Sequence, residues 1–307
     1  MIGGGTGLAT LLRGLKKYTS KITAVVTMCD DGASTGRIRE ELGCLPPGDI
    51  RQCLAALADE EPLLTKLFQY RYEKGDGLAG HSFGNLFIAA LQDITGSFEK
   101  AVEEASNILA ISGKVMPSTL DSVKLGAELA DGQIVWGESK IPLHTLDNPI
   151  KKLLIRPKRA KAYGPVVEAI NEAEIIIIGP GSLYSSIIPN FLIDGIAEAI
   201  QYSKAKKIYI CNISTEKGET EGMDVEAHLQ ELCSYSGEKS CDWAIVNSRI
   251  IKSEQEGELG KINNITTTRK KIGNCKIIRA DVVNEQNPLY HNSEKLAKVL
   301  IENLRGN

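Results

Sequence analysis

The chain has 307 residues, 42% of them hydrophobic and 24% charged, with a formal net charge of −3. That length holds one large α/β core or two modest ones, and the near-balanced charge excludes the broad electrostatic pull toward nucleic acid or an acidic membrane surface that a basic protein exerts. No run approaches the roughly 20 consecutive apolar residues of a membrane span, no signal-peptide core precedes the first glycines, and the seven cysteines are scattered without CxxC spacing, the pattern of reduced thiols in a cytoplasmic protein without structural zinc.

The opening Met1-Ile2-Gly3-Gly4-Gly5-Thr6-Gly7 runs into Leu8, Leu11, Leu12 and Leu15, whose i, i+3, i+4, i+7 spacing gives one apolar helix face fed by a glycine turn. The β-branched run over 22–28 suits a parallel strand covered on both faces, and it ends at Cys29-Asp30-Asp31-Gly32. After the turn Leu45-Pro46-Pro47-Gly48, Asp49 and Gln52 have the spacing of a capping box at the head of a helix reaching Leu57. Helices are predicted over 62–72, 83–94 and 98–111. Beyond Val115 the pattern changes to short strands over 123–130 and 133–138 around Asp131-Gly132, which reads as a two-residue hairpin turn.

The α/β rhythm then resumes: a helix over 166–173, a strand over 174–178, the turn Gly179-Pro180-Gly181-Ser182, a helix over 191–202 and a strand over 207–213. A polar loop to Asp224, a helix to Tyr235, strands over 243–247 and 275–282 and a closing helix over 293–304 complete the chain. This order predicts an α/β fold: a Rossmann-like open, mainly parallel sheet with helices on both faces and a small β-rich insertion. The expected division is 1–112 for the first part of the nucleotide-binding domain, 113–163 for the insertion and 164–307 for the rest of the α/β domain.

In such sheets ligands bind beyond the carboxyl ends of the strands. The loop Gly3, Gly4, Gly5, Thr6, Gly7 lets the backbone approach an anion, and the free N–H groups at the head of the following helix favour a phosphate; Gly181 with Ser182 offers a second cradle. The alternative is a tight strand-to-helix turn without a ligand. No Gly-Lys-Ser/Thr follows, so this is not a P-loop, and Leu8 stands where a dinucleotide fingerprint needs its third glycine, which leaves an NAD(P)-dependent oxidoreductase without its motif.

Asp30 and Asp31 end the second strand, where a carboxylate takes a ribose hydroxyl or a pair of them holds Mg²⁺; a solvated turn is the plainer reading. Ser34 and Thr35 extend the same loop, and Arg37 and Arg39 are placed to meet phosphate charge. Arg51 sits in a helix's first turn, where the dipole disfavours a cation, which suggests that it answers an anion. His81, Ser82 and Asn85 crowd the head of an otherwise apolar helix, as ligand contacts or as a local cap. His144, His228 and His291 lack sequence-local partners and read as ordinary histidines. The basic run from Lys151 to Lys161 is a solvated face or a contact for phosphates or an acidic partner. Neither a nucleophile elbow nor HExxH is present, so nothing argues for covalent hydrolysis.

Taken in order, GGGTGL (3–8) with LRGL (12–15), VVTMCDDGASTGRIREEL (25–42), PPGDIRQCLAAL (46–57), GLAGHSFGNL (77–86), IIIIGPGSLYSSIIPN (175–190) and ICNISTEKGETEG (210–222) resemble the gluconeogenesis factor family, which belongs with the 2-phospho-L-lactate transferases. The resemblance is colinear to about Leu232. It implies a Rossmann-like fold and a site for a nucleotide diphosphate compound. In the transferase branch a nucleotide-activated phospho-acid gives its phosphorylated moiety to a deazaflavin alcohol with help from Mg²⁺. The gluconeogenesis factor branch is bacterial and cytoplasmic, is linked to cell shape and wall precursor metabolism during gluconeogenic growth, and is expected to bind UDP-sugars.

The family's motifs fall on Gly3 to Gly7, on Asp30 and Asp31, on Gly48, Asp49 and Arg51, on His81, Ser82 and Asn85, on Gly179 to Ser182, and on Asn212 and Thr215. Catalysis stays open, as do a homodimer and a regulatory protein partner. Three positions depart from the pattern. The strand before the glycine loop is cut to Met1-Ile2, implying a truncated start or a stunted central strand; Ala33 stands where glycine is common; and Cys29 replaces a small residue.

Overall fold

The computed structural model describes residues 1–59, 62–251 and 263–305. Among them eleven strands form: β1 (Ile2–Gly3), β2 (Thr23–Val26), β3 (Lys114–Pro117), β4 (Lys124–Leu129), β5 (Ile134–Trp136), β6 (Ile150–Arg156), β7 (Ile175–Ile178), β8 (Lys206–Ile210), β9 (Trp243–Asn247), β10 (Lys271–Ile272) and β11 (Cys275–Ala280). Eight make one sheet in the order β10-β11-β9-β8-β7-β1-β2-β3. Its pairs are parallel except β10 with β11. The four isoleucines of β7 show why: helices cover both faces, so a central strand has no polar side to alternate with.

At the centre lies β1, only two residues long. Ile2 pairs with Val25 of β2 on one side and with Ile178 of β7 on the other, and the Met1 amine donates to Thr23 O at 2.7 Å. From β1 the chain moves on to β2 and from β7 to β8, in opposite directions across the sheet, which makes the carboxyl ends of β1 and β7 its switch point. Helix α1 (Gly5–Leu15) follows at once and buries Leu8, Leu11 and Leu12 completely, at about 2 kcal/mol each in apolar transfer. It packs between α3 (Gly48–Leu57), which follows α2 (Ala33–Leu42), and the closing helix Ser293–Arg305.

The sequence expectations hold for the α/β order, with local corrections. Lys114–Pro117, grouped by sequence with the insertion, pairs with β2 at the edge of the large sheet. The antiparallel β5-β4-β6 sheet forms the insertion proper, and most of the basic run lies on or just after β6. There Arg156 stacks 3.9 Å over Trp136 and Lys151 pairs with Glu128 at 2.6 Å. The β4–β5 turn has three residues, because Gly132 N–H bonds Leu129 O and Leu129 N–H bonds Gln133 O; Gly132 supplies the left-handed residue (φ +88) that such a turn requires. Helical structure begins at Leu183, well before the expected 191, stops at Phe191 and resumes at Ile196 after Gly195 (φ +100). The ten-residue α2 has no counterpart in the sequence reading, since its face carries few apolar residues.

Gly14 marks the tightest helix contact: a Cβ there would run into Ser293 O and come within 2.8 Å of Ala297 Cβ. Gly14→Ala is therefore expected to destabilise the protein by about 1–3 kcal/mol, read as a lower urea midpoint at unchanged slope. An unchanged midpoint would show that the closing helix shifts at no cost.

Candidate functional site

The glycine loops after β1 and β7 touch through their backbones. A Cβ on Gly7 would stand 2.6 Å from Pro180 O and 2.8 Å from Gly181 N, and one on Gly4 would stand 2.5 Å from Thr27 Cγ2 and 2.6 Å from Asp49 Oδ2. Gly5 has φ +60. These positions tolerate no side chain, and the first-turn amides of α1 are left without intrahelical acceptors. No acidic residue follows in that turn, and although the Asp49 carboxyl takes the Gly5 amide, the amides after it keep positive character for a ligand.

The loops open into a cavity of about 620 Å³ above the switch point, a size ordinary for small-molecule sites. Its walls are Gly4 to Gly7, Thr10, Thr27, Asp30, Asp49, Gln52, Glu138, Pro180 to Ser182, Ser185, Ser186, Asn212 to Lys217 and Leu289 to His291. Gly5, Asp30 and Ser182 thus share one hollow.

One wall is acidic. Asp49 is buried beside Asp30; burial first, then the Asp30 charge, push its carboxyl up to about 7 against the pull of the Gly5 amide and Arg51. Burial raises Asp30 as well, opposed by hydrogen bonds from Gly32 N–H and Thr35. Glu138 rises to about 8 through burial and the charges of Asp30, Asp31 and Asp49. Across the cavity burial raises Glu216, and burial with the Glu216 charge brings the neighbouring Glu219 to about 7. Lys217 is the one lysine or arginine among the lining residues.

Of the residues marked in the sequence, Gly4, Gly5, Thr6, Gly7, Asp30, Gly181, Ser182, Asn212 and Thr215 line this cavity. Gly3 lies within β1, and Gly179 (φ +81) sits behind the second loop. Asp31 is turned to the insertion, where its Oδ1 accepts Ser139 N–H at 2.9 Å. Ser34, Thr35, Arg51, His81, Ser82 and Asn85 build an adjoining polar cluster outside the cavity wall. Ser34 Oγ accepts from Asn85 Nδ2 (3.2 Å) and Ser82 N–H (3.3 Å). Its own proton is then free for His81 Nδ1 at 3.1 Å, which leaves the imidazole proton on Nε2. Arg51 Nε donates to Asn85 Oδ1 at 2.8 Å.

Arg37 and Arg39, expected to meet phosphate, hold carbonyls instead. Arg37 donates to Ala79 O at 2.7 Å, and Arg39 donates to Asp30 O at 2.8 Å and Val123 O at 2.5 Å. Ala33 adopts φ +37, a left-handed conformation that accounts for glycine being common there. The predicted capping box does not form: Pro47 occupies the cap position, Asp49 accepts the Gly5 amide, and Gln52 Oε1 accepts the Thr6 hydroxyl at 3.2 Å. Both residues serve the glycine loop.

Glu138, Ser185, Ser186, Glu216, Lys217 and Tyr290 also line the cavity, as does His291, read from the sequence as an ordinary histidine. His291 donates its Nε2–H to Cys211 O, 3.2 Å away. The Ser-rich and GETEG segments were legible as motif text, but nothing local marks Glu138 or the 289–291 loop, which reach the site through folding alone.

Mg²⁺ prefers one or two carboxylates and fills its shell with water and substrate phosphates. Asp30 and Asp49, both raised above the ordinary carboxyl range chiefly by burial, fit that demand; Asp31, the expected partner, is turned toward the insertion, where its Oδ1 accepts Ser139 N–H. Among the described residues no group of three potential ligands is assembled, so a metal there would depend on the ligand's own oxygens.

Comparison with known proteins agrees with the α/β fold. The family model for the 2-phospho-L-lactate transferase CofD matches residues 1–283. The gluconeogenesis factor of Bacillus subtilis is 44% identical over 310 residues, covering 99% of this chain and 97% of that protein. That of Halalkalibacterium halodurans is 43% identical over 307 residues, covering 98% and 95%. A crystal structure of a Bacillus halodurans protein superposes with a TM-score of 0.93 at 43% identity, covering 98% of this chain and 97% of that one. The chain belongs to the 2-phospho-L-lactate transferase CofD family, among its gluconeogenesis factors.

Proposed function

We propose that the protein binds a nucleotide diphosphate sugar of the UDP-sugar type, and that it acts as a cytoplasmic regulator of wall precursor metabolism and cell shape during gluconeogenic growth. The observation that carries the binding reading is the convergence of two glycine-rich loops and a helix N-terminus on one end of a cavity. A diphosphate suits that end because backbone amides need no lysine to hold it. Asp30 and Asp49 would hold Mg²⁺, which when bound neutralises phosphate oxygens next to the acidic wall. Asn212, Thr215 and the 289–291 loop remain for the base and sugar. The regulatory role rests on kinship with the gluconeogenesis factors.

A second reading is favoured by the family match over residues 1–283: transfer of a phospho-acid moiety from a nucleotide diphosphate donor to a deazaflavin alcohol. It predicts Mg²⁺-dependent product with that acceptor, read by mass spectrometry. An acceptor that neither binds nor turns over ends this reading and leaves the first intact.

Calorimetry with UDP-N-acetylglucosamine and Mg²⁺ is expected to give a dissociation constant on the order of micromolar, about −8 kcal/mol. Gly7→Ala, which drives a methyl into Pro180 O, and Asp30→Asn should each weaken binding at least about tenfold. No heat with any uridine nucleotide would refute the proposal.

The acidic wall makes stability depend on pH. Folded Asp49 and Glu138 titrate near 7 and 8, above ordinary values of 3.8 and 4.5. The unfolded chain therefore loses these protons first, and stability present below pH 4 declines as pH rises to 8. Between pH 5 and 8 the ligand-free protein should lose at least about 1 kcal/mol, and Asp49→Asn should flatten the decline. A flat profile for the wild-type protein would contradict the shared burial of these carboxyls.

A further inference from the structure

Residues 137–145 leave the insertion sheet, cross beside the cavity and are latched at both ends. At the first latch Gly137 (φ +113) lies against Asp31, a Cβ there coming within 3.0 Å of Oδ2, and Ser139 N–H donates to Asp31 Oδ1 at 2.9 Å. At the second the Thr145 hydroxyl donates to Gly218 O, and a Cβ on Gly218 (φ +75) would stand 2.6 Å from Pro142 O. Asp31 follows β2 and Gly218 lies in the loop after β8, so this strap ties together loops on opposite sides of β1. Its carboxylate, Glu138, lines the cavity with Asp30 and Asp49.

Charged, a carboxyl group repels phosphate oxygens, and charged or protonated it keeps oxygen acceptors to which hydroxyls donate. The anion-directed amides come from the two glycine loops, and the strap brings the opposite chemistry to the same space. We propose that Glu138 is a specificity-determining residue that takes the hydroxyls of the sugar half of the ligand, held in place by the two latches of the strap. The inference rests on the nucleotide-sugar reading above and extends it: the β-rich insertion reads the sugar while the α/β sheet holds the diphosphate.

The test is the ratio of two affinities measured by calorimetry on the full chain, for UDP-N-acetylglucosamine and for UDP. The wild-type protein is expected to prefer the nucleotide sugar by about tenfold. Glu138→Ala should bring the ratio close to one, whereas Glu138→Gln, which keeps the size and one acceptor oxygen, should retain about half of the preference or more. Should the alanine variant fail to fold by urea titration, Glu138→Asp, which withdraws the carboxyl by one methylene, carries the same test. A wild-type ratio near one, or one unchanged by these substitutions, overturns the assignment while leaving the diphosphate site standing. A wild-type protein that binds neither compound overturns the nucleotide reading itself, and this inference with it.

Discussion

Contact between two stretches of bare backbone governs the rest of the architecture. Gly7 at the head of α1 and Pro180-Gly181 at the end of β7 approach so closely that a single methyl group between them has no room. Because the two loops leave adjacent parallel strands at the switch point, this contact sets the distance between α1's amides and the serines at 182, 185 and 186. Around the loop, β2 and β7 supply the hydrogen-bonding neighbours of β1, and α1 supplies its apolar anchor.

Chemical contrast within one cavity is the second organising feature. Backbone amides offer diffuse positive character at one end, while Asp30, Asp49 and Glu138 crowd negative groups into a buried wall. Such a wall is costly for an empty site, because burial and mutual repulsion both disfavour the charged forms. Groups held out of their ordinary titration range cluster where a ligand or ion completes the charge balance. The neighbouring Ser34–His81–Asn85–Arg51 network is of another kind. Its members satisfy one another, and through Thr35 the same helix start reaches Asp30, so it steadies the acidic wall from behind.

The fold was largely legible because hydrophobic period and turn chemistry agree along most of the chain. Leu8, Leu11, Leu12 and Leu15, the isoleucines of β7 and the run through Val26 each point to a single conformation. Legibility failed where tertiary context outweighs local pattern. The α2 helix has few apolar residues and is held by Arg39 and the Asp30 turn. The strand β6 is disguised by its lysines, and β3 by its place beside a distant β2. At the site, glycine loops and Asp30 were readable as motifs, whereas Asp49 and Gln52 imitated a helix cap, and Arg51, His81 and Asn85 bond one another or Ser34 beside the cavity. Glu138 and His291 had no local signature, since their importance comes from what folding brings next to them.

The close seat of Gly14 against Ser293 and Ala297 has a consequence for how the cavity is assembled. The helix that bears the first glycine loop is braced by the closing helix, and the 289–291 loop just ahead of that helix closes part of the cavity. Two walls of one hollow therefore come from segments far apart in sequence, so the hollow takes shape through long-range packing, and damage to the closing helix would disturb the glycine loop through α1 without touching it.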